Sequence, residues 1–341
     1  MAPRAAAEPW FDDTTEPEPH AARRKKILEA HPEVRGLFGH NPELKWQALC
    51  LVGVQLSVAY YTRLMSWPVL IAVAYFFGGF LQHGLWSVIH ECSHNQAFGY
   101  KYPLPNQLLG ILANLPMGFP CAVAFKRYHL MHHKYQGNAK MDADVPTEFE
   151  ARLFGTSAIG KLIFVILQPF FYYTRPLFVN PLPPTRLELF NIAVQLAFDY
   201  VLLSHWGLKP FVYLIGGFFL TMGLHPLAGH FISDHMQLTK GHETYSYYGW
   251  MNQLMWNEGY HNEHHDFPNV PNKRLSELRD MVPEVYSQLP SYDSWPGVVW
   301  RFITDPSVSL GSRIRRLEVP QKAATNVSPS WSTEEGDTTG E

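Results

Sequence analysis

The sequence predicts an all-α integral membrane protein in which about four transmembrane helices form two hairpins beneath a helical cap. Three observations support this fold. Apolar residues are concentrated in four long segments, short links join these segments in pairs, and tight clusters of histidines lie outside them. Of the 341 residues, 46% are hydrophobic and only 17% are charged. The three cysteines have no paired spacing, which favours a reduced environment over a disulfide framework.

The chain begins with a polar region. Residues 1–9 are expected to be a flexible N-terminus, and residues 10–46 a cytosolic segment. This region contains acids, prolines and a basic run at 23–26, but no apolar stretch of the kind a signal peptide needs. Position 2 is alanine, which excludes N-myristoylation because that modification requires glycine there.

A membrane domain is predicted over residues 47–317. Its four apolar segments are each close to the length of about 20 residues that a spanning helix needs; they cover about 47–64, 67–89, 188–205 and 210–228. Short links containing Arg63 and Lys209 join them in pairs, so each pair is predicted to form a hairpin. Two weaker apolar stretches, about 107–125 and 159–174, contain prolines and are expected to be interfacial or partly inserted helices. A buried soluble core is the alternative explanation for these runs.

Two hairpins would place both termini and every histidine cluster on the same side of the membrane. That side also holds most of the lysines and arginines, whereas the hairpin links carry only Arg63 and Lys209. The positive-inside rule therefore predicts that the shared side is cytosolic. Residues 318–341 are rich in Ser, Thr and acids and are expected to be a disordered cytosolic tail, where the sequon at Asn326 would go unused. The net charge of −3 gives no reason to expect nucleic acid as a partner.

Eight of the 17 histidines fall into three boxes, HECSH, HLMHH and HNEHH. Their members are His90 and His94, then His129, His132 and His133, and finally His261, His264 and His265. Residues three and four apart share a helix face, and imidazole is the commonest side-chain metal ligand. One zinc-like ion takes three or four protein ligands, so eight histidines predict a two-metal site in the cytosolic cap. A single HxxxH often occurs by chance, but three boxes in one chain argue against histidines kept only for packing.

Three histidines in LHPLAGHFISDH could complete the metal site. Five-residue spacing does not keep His225, His230 and His235 on one helix face, and Pro226 and Gly229 predict an irregular helix end. His230 is predicted as a ninth ligand, and His225 or His235 could replace or join it. Cys92 lies inside the first box but is expected to be an ordinary buried thiol. His242 is assigned to a substrate loop or to structure; the histidines predicted as non-ligands are His20, His31, His40, His83 and His205.

The order HxxxH, HxxHH, HxxHH, with hairpins between the boxes, resembles that of the membrane fatty-acyl desaturase and hydroxylase superfamily. Further stretches are similar to the sphingolipid Δ4-desaturases in particular, and the similarity extends from about residue 10 to 316. These stretches are TEPEPHAARRKKILEAHPEVRGLFG, DADVPTEFE (142–150), ILQPFFYYTRPLFVNP (166–181), GHFISDH (229–235), KGHETYSYYG (240–249) and GYHNEHHDFPNVP (259–271).

The resemblance implies a diiron enzyme of the endoplasmic reticulum membrane that introduces the 4,5-trans double bond into dihydroceramide. It implies O2 as co-substrate and electrons from NADH delivered through cytochrome b5 and its reductase. The eight box histidines would be the iron ligands, with no catalytic side chain beyond the metal centre. Histidine ligation also suits zinc or copper, so the choice of iron rests on the resemblance. Because the chain lacks an HPGG haem motif, cytochrome b5 is expected as a separate partner.

The substrate is expected in a tunnel between the spans, with its amide and hydroxyls near the membrane face. Candidate head-group contacts are Asp142, Asp144 and the tyrosines Tyr245 and Tyr248. The second box has Leu-Met between its histidines, where the family is expected to carry a more polar spacer, but the ligand positions are intact.

Three other functions compete with this prediction. A sphinganine C4-hydroxylase, or a bifunctional desaturase and hydroxylase, would share the first hydrogen abstraction, and the sequence does not separate these outcomes. A non-catalytic membrane metal carrier or sensor would need polar residues at mid-membrane depth. The four apolar segments contain few of them, namely Gln55, Gln82, Gln195 and Asp199. A regulator that has lost catalysis is disfavoured because all eight box histidines are present.

Overall fold

The computed structural model describes residues 11–317, and these residues are mostly helical. The predicted flexible segment 1–9, the predicted tail 318–341 and the sequon at Asn326 lie outside the described residues. The α-helices of the described part are α1 (Pro19–Ala30), α2 (Leu44–Tyr61), α3 (Trp67–Val73), α4 (Gly79–Ser93), α5 (Pro103–Asn114), α6 (Ala122–Tyr135), α7 (Glu148–Phe154), α8 (Ala158–Thr174), α9 (Pro176–Val179), α10 (Arg186–Trp206), α11 (Leu208–Met222), α12 (Ala228–Ser233), α13 (His261–Asp266), α14 (Leu275–Met281), α15 (Pro283–Tyr286) and α16 (Trp295–Thr304).

Shorter elements connect these helices. Single stretches of 3-10 helix occur at Pro32–Leu37, Thr62–Leu64, Leu115–Met117, Trp250–Gln253 and Asn272–Arg274, and a π-helical turn at Ala74–Gly78 joins α3 to α4. Four short strands, β1 (Asp12–Thr14), β2 (Ser246–Tyr247), β3 (Ser291–Tyr292) and β4 (Ile314–Arg316), form two parallel pairs, β1 with β4 and β2 with β3.

Two helical rods in the described chain are long and apolar enough to cross a membrane. One is the continuous rod Trp67–Ser93, which combines α3, the π-helical turn and α4, and the other is α10. A third span would arise if Pro103–Met117 and Ala122–Tyr135, which meet at 115°, were counted together. The predicted segments 67–89 and 188–205 thus coincide with span-length helices.

The prediction of four spans is not confirmed. The first predicted segment does form an 18-residue helix, α2, but Lys45, Gln47 and Gln55 reduce its apolar character. The last segment forms α11, which has only 15 residues because the backbone leaves the helix at Gly223, three residues before Pro226. Helices also cover the weaker apolar stretches, as α5, α6 and α8, and their depth in a membrane stays a prediction.

Large apolar side chains cover the outside of the helical bundle. Phe76, Ile159 and Tyr200 are each more than 70% exposed, and many neighbours on α2, α8 and α10 are also exposed. An aqueous surface rarely exposes so much contiguous apolar area. This girdle is typical of a surface that faces lipid.

The two predicted hairpin links lie side by side. The ammonium group of Lys209 donates to the carbonyl of Met65 at 2.6 Å, and the Arg63 guanidinium lies 3.4 Å from the centre of the Tyr60 ring. The rod Trp67–Ser93 begins at this end, and its 27 residues correspond to about 40 Å of helix. The first histidine box lies at the far end of that rod, so the links and the histidines are at opposite ends of the bundle.

At the histidine end, the N-terminal part of the described chain packs onto the C-terminal part. Strand β1 pairs with β4 in the register Asp12↔Ile314, Asp13↔Arg315 and Thr14↔Arg316. A separate apolar core joins Ile27 and Val34 to Phe267, Leu278 and Tyr286. These contacts form a helical cap that holds α1 against α13, the helix of the third box.

Candidate metal centre

Three helices deliver the three histidine boxes to one place. His90 lies in the last turn of α4 and His94 follows that helix directly, after which Asn95 takes a left-handed backbone conformation (φ 60°) and redirects the chain. The second box is in α6, which starts after the sharp turn at Gly118 (φ 70°). The third box occupies nearly all of the six-residue helix α13.

Five box histidines form one compact group. One nitrogen from each lies within 4.8 Å of the corresponding nitrogens of the others; the members are His90, His94, His129, His133 and His264. The Nε2 of His129 is 2.9 Å from that of His94 and 3.0 Å from that of His133. The Nε2 of His264 is 3.1 Å from that of His133. Four of the five are buried, and His133 is partly buried.

Two smaller groups adjoin the first. His132, His235 and His265 form one of them, and His230, Asp234 and His261 form the other. They are linked through His235, whose Nε2 is 2.8 Å from the Nε2 of His132 and 3.0 Å from that of His261. The rings of His133 and His265 stack with their centres 4.2 Å apart, so the five-histidine group and the second group are in contact.

The second box therefore contributes to two of these groups, and the third box contributes to all three. The HxxHH spacing predicts that the three imidazoles of one box point the same way. In α6, however, His129 and His133 enter the first group while His132 enters the second. The reason is the helix period. His132 and His133 are successive residues, so their side chains leave the helix about 100° apart around its axis. One box thus contributes side chains to neighbouring groups that could each hold a metal ion.

Carboxylates orient several of these imidazoles. His132 donates its Nδ1–H to Asp142 at 3.0 Å, and Asp142 also accepts backbone N–H groups from Gly137 (2.7 Å) and Asp144 (2.9 Å). The Nδ1 of His90 lies 2.8 Å from Glu258. Burial alone would raise the pKa of Glu258, but the positive charge of His90 outweighs it and holds the pKa at about 2. The carboxylate therefore stays ionised beside the imidazole.

This donor set fits metal ions. His132 commits its Nδ1–H to Asp142, and His235 directs its Nδ1 to the carbonyl of Glu243 at 3.3 Å. Both rings then present a bare Nε2 lone pair, and these two nitrogens face each other at 2.8 Å. Two lone pairs at that distance repel unless a cation draws them together. A carboxylate or carbonyl on the far nitrogen is also the usual support of a metal-binding imidazole.

The candidates for a ninth ligand are placed in three different environments. His225 is removed from the centre, since its Nε2 lies 3.1 Å from the carbonyl of Tyr75 and its Nδ1 accepts the N–H of Leu227 at 3.2 Å. His230 lies 3.2 Å from Asp234 at the edge of the centre. His235 lies between two box histidines. The placement of His235 just after α12 could not be read from helical spacing.

The predicted head-group contacts also have different surroundings. Asp142 supports His132, and the hydroxyl of Tyr248 donates to Glu263 at 2.6 Å. The hydroxyl of Tyr245 hydrogen bonds with Thr239 and donates to the carbonyl of His242, so His242 belongs to a closed loop. Among the four predicted residues only Asp144 lines the cavity beside the histidines described below.

His20, predicted to be a non-ligand, lies against the centre. It is almost fully buried, its ring centre is 4.8 Å from that of His265, and its two nitrogens lie 2.7 Å from Asp266 and 2.9 Å from Thr244. Arg23 donates to the other oxygen of Asp266 at 2.7 Å. Asp266 adjoins His265 in sequence, so α1 helps to fix the third box. Only the spacing of His20 and Arg23 on one helix face hinted at this role.

A cavity opens from the histidines into the apolar part of the protein. We call it the inner cavity; it has a volume of about 70 Å³, and its wall includes His90, His129, His132, His261, Trp86 and Phe231. A larger, mainly apolar outer cavity of about 400 Å³ continues from it, lined by residues such as Phe119, Tyr173 and Leu177. The two share a wall formed by Phe125, His129, Asp144 and Tyr172.

Comparison with known proteins agrees with this geometry. Residues 65–296 match the fatty acid desaturase family, and residues 11–43 match the sphingolipid Δ4-desaturase family. The sphingolipid delta(4)-desaturase DES1 of Drosophila melanogaster is 51% identical over 301 residues, which are 88% of this chain and 94% of that protein.

Two vertebrate relatives give the same result. The sphingolipid delta(4)-desaturase DES1 of Gallus gallus is 47% identical over 88% of this chain and 92% of its own. The sphingolipid delta(4)-desaturase/C4-monooxygenase DES2 of Mus musculus is 45% identical over 92% of this chain and 96% of its own. These identities extend over nearly the whole described chain. With its three histidine boxes gathered at one end of an apolar helical bundle, the chain belongs to the sphingolipid Δ4-desaturases of the fatty acid desaturase family.

Proposed function

We propose that this protein is a sphingolipid Δ4-desaturase that converts dihydroceramide to ceramide by introducing the 4,5-trans double bond into the sphinganine moiety. The observation that carries the proposal is the convergence of the box histidines into adjoining groups beside a cavity that leads into an apolar region. Relatives that bear the name sphingolipid delta(4)-desaturase match along nearly the whole chain, which supports the same substrate class.

Two iron ions would occupy the centre. The five-histidine group would hold one, and His132, His235, His261 and His265 would hold the other. His235 is favoured as the ninth ligand over His230 because its Nε2 faces two box nitrogens within 3.0 Å, whereas His230 faces Asp234. When bound, the irons would supply the oxidising power that an unactivated C–H bond requires, and the protein would position the chain against them.

The reaction needs electrons from outside the chain. Removal of two hydrogens from C4 and C5, with reduction of O2 to two waters, takes up two electrons and two protons. We propose NADH as their source, through cytochrome b5 and its reductase. The side chains of the site bind, orient and exclude water, and no side-chain base is needed.

We further propose a multi-pass protein of the endoplasmic reticulum, with both termini and the metal centre on the cytosolic side. The adjacency of Lys209 and Met65 supports this arrangement, because it places both hairpin links at the end opposite to the histidines. The apolar girdle between the two ends supports a bilayer position.

C4-hydroxylation of the same substrate is the second candidate activity. The specific reason is that some relatives, such as the one from Mus musculus, carry the name delta(4)-desaturase/C4-monooxygenase. Both outcomes begin at neighbouring carbons of the same bound chain, so one site could give both products.

The test is a lipid analysis in cells that lack Δ4-unsaturated sphingoid bases. The intact chain would be expressed beside a His264→Ala, His265→Ala double variant, with cytochrome b5 and its reductase supplied, and the bases profiled by mass spectrometry. We expect 4,5-trans sphingosine only with the intact chain. Phytosphingosine in its place would reassign the protein as a hydroxylase. The absence of any new base, with the protein present in the membrane fraction, would overturn the proposal.

A further inference from the structure

Three neighbouring cavities lie beside the candidate metal centre. The outer cavity is apolar, and the inner cavity is walled by the ligand histidines. A third cavity of about 280 Å³ shares Val145, Pro146 and Arg313 with the inner one, and its wall combines apolar residues such as Phe149 with the charged residues Asp142 and Glu148. An amphiphile in these cavities would therefore lie mainly against apolar walls, with polar side chains at a few places, among them Gln168 and Arg313 beside the histidines.

One polar side chain in the inner cavity lacks any partner in the described part of the chain. Gln168 projects from α8, is 4% exposed and makes no side-chain hydrogen bond to another described residue. A buried amide left unpaired costs about 1–3 kcal/mol. Lys161, two turns earlier on the same helix, shows the contrast, because its ammonium donates to the carbonyls of Asp305 and Val308. The amide of Gln168 is thus free to serve a ligand.

Arg313 is a second buried polar side chain of the inner cavity without a hydrogen-bond partner among the described residues. Arg313 is 4% exposed, lines the inner cavity, and donates no side-chain hydrogen bond to any described residue. The other arginine of this cavity, Arg175, donates from Nε to the carboxylate of Glu150 at 2.9 Å and from Nη1 to the carbonyl of Asp144 at 3.0 Å. Burial lowers the pKa of Arg313 to about 9, although the carboxylates of Asp142 and Glu150 oppose that change. The guanidinium remains a cation with five unused N–H donors.

The polar head of dihydroceramide offers the hydrogen-bond partners that Gln168 and Arg313 lack. The base carries hydroxyls on C1 and C3 and an amide on C2, so its polar head lies only a few bonds from C4 and C5. If those carbons are held at the histidines, the head must occupy the inner cavity as well. A carbonyl oxygen would accept from Arg313, and a hydroxyl would donate to the Oε1 of Gln168.

We infer that Gln168 and Arg313 form the head-group recognition site of this enzyme, with Arg313 donating to the amide carbonyl and Gln168 accepting from a hydroxyl of the sphingoid base. The inference rests on the proposed function. It assigns to this pair the selection of an N-acylated amino alcohol over a plain acyl chain, because the two groups stay unpaired unless such a head is bound.

The experiment pairs each variant with a substrate that lacks the matching group. Purified full-length protein in mixed micelles would be supplied with NADH, cytochrome b5 and its reductase. Gln168→Leu would be assayed on dihydroceramide and on analogues lacking the C1 or the C3 hydroxyl. Arg313→Gln and Arg313→Lys would be assayed on dihydroceramide and on its thioamide, whose sulfur is a weak acceptor.

For Gln168→Leu we expect kcat/KM on dihydroceramide to fall about tenfold, mainly through KM. On one of the two deoxy analogues, kcat/KM of the same variant should be less than about twofold below that of the intact protein. The reason is that this analogue already lacks the hydroxyl that pairs with Gln168. Arg313→Gln should show the corresponding pattern with the thioamide, and Arg313→Lys should recover part of the loss because it keeps a charged donor. Iron content should match that of the intact protein.

Two control variants lie outside the inner cavity. Gln237→Leu removes another glutamine with an unpaired side-chain nitrogen, and Arg152→Gln removes an exposed arginine that pairs with Glu148. Neither should alter KM or the preference between substrates. Equal losses on every analogue, or losses no larger than those of the controls, would overturn the inference and assign the pair to packing.

A binding measurement separates failure of this inference from failure of the proposed function. The rise in melting temperature on adding dihydroceramide, compared with its deoxy analogues, does not depend on turnover. If the intact protein binds dihydroceramide selectively and the variants do not, the recognition site stands even without desaturation. If the intact protein shows no selectivity for the head group, the recognition site is wrong whatever reaction is catalysed.

Discussion

At the scale of single residues, the hydrogen-bond partner of one ring nitrogen determines whether the other nitrogen of an imidazole can face the centre. His132 and His235 both direct Nδ1 to an oxygen acceptor, and their Nε2 atoms are left to face each other. His225 uses both nitrogens on the backbone and has none left to share. The distinction between a proposed ligand and a structural histidine is therefore visible in the hydrogen bonds, although His225 and His235 share the same short stretch of sequence.

Substitution of His225, His230 and His235 in turn tests this distinction. His235→Ala is expected to lose about half of the bound iron, because it removes a ligand of one of two ions. His225→Ala should keep its iron, since both nitrogens of this side chain hydrogen bond with backbone groups. His230→Ala should also keep most of it. Metal analysis of the purified proteins decides the matter, and iron loss in His230→Ala with retention in His235→Ala would reverse the assignment of the ninth ligand.

The supporting carboxylates allow a second test at this scale. Asp142→Asn and Glu258→Gln should each lower iron affinity about 10- to 100-fold, because a neutral amide orients the imidazole less strongly and reduces its basicity. The measurement is a chelator competition on purified protein, with Asp280→Asn as an exposed control. Unchanged affinity in both buried variants would show that the contacts to His132 and His90 do not support metal binding.

At the scale of elements, α1 joins the third box to the N-terminal region. This helix lies within the residues that match the sphingolipid Δ4-desaturase family, whereas the broader fatty acid desaturase match starts at residue 65. Its Arg23 and His20 both reach the fully buried Asp266, beside His265. The segment that distinguishes the narrower family is thereby built into the support of the metal centre.

The expected result of Arg23→Ala is a weakened cap. Removal of one partner leaves Asp266 buried beside His20 alone, which should destabilise the docked α1 by about 3 kcal/mol. Hydrogen exchange in α1 and α13 should then rise, while Arg23→Lys should restore part of the protection. Lys25→Ala, an exposed neighbour on the same helix, serves as the control. Unchanged exchange in α13 would show that α1 packs there without supporting it.

Elements differed in how well the sequence predicted them. Span-length helices over 67–89 and 188–205 followed directly from their apolar composition. The first and last predicted spans correspond to less apolar or shorter helices. Glutamines and a lysine interrupt the apolar sequence of α2, and a glycine ends α11 early. The boxes were predictable since ligand spacing is set by the helix period. The position of His235 depended on how the chain leaves α12, which no periodic pattern encodes.

At the scale of the whole molecule, the metal centre connects helices that are otherwise held by separate apolar cores. α4 and α6 belong to the core of the bundle that includes Trp86 and Phe125, whereas α13 belongs to the cap core with Phe267. The bundle core was implicit in the apolar segments of the sequence. The cap core was not, because its members are scattered among short helices with little periodicity.

Removal of the metal should therefore loosen the cap from the bundle. A ligand that binds only the folded state at 100 times its Kd stabilises it by about 2.7 kcal/mol, so chelation is expected to lower the melting temperature. Intrinsic tryptophan fluorescence on heating would measure this change. The His264→Ala, His265→Ala variant should respond much less to the chelator, and an equal response would mean that the chelator acts elsewhere.

The pairing of β1 with β4 has a consequence for how the protein is made. Arg315 holds Asp13 across 302 positions of sequence, and contacts of such long range form late because a large loop must close first. During synthesis the first strand emerges long before its partner exists. The bundle and its apolar girdle can enter the membrane in that interval, while the N-terminal segment waits. The pairing of β1 with β4 can form only once translation has passed residue 316, so newly made chains close this end of the cap among the last steps of assembly.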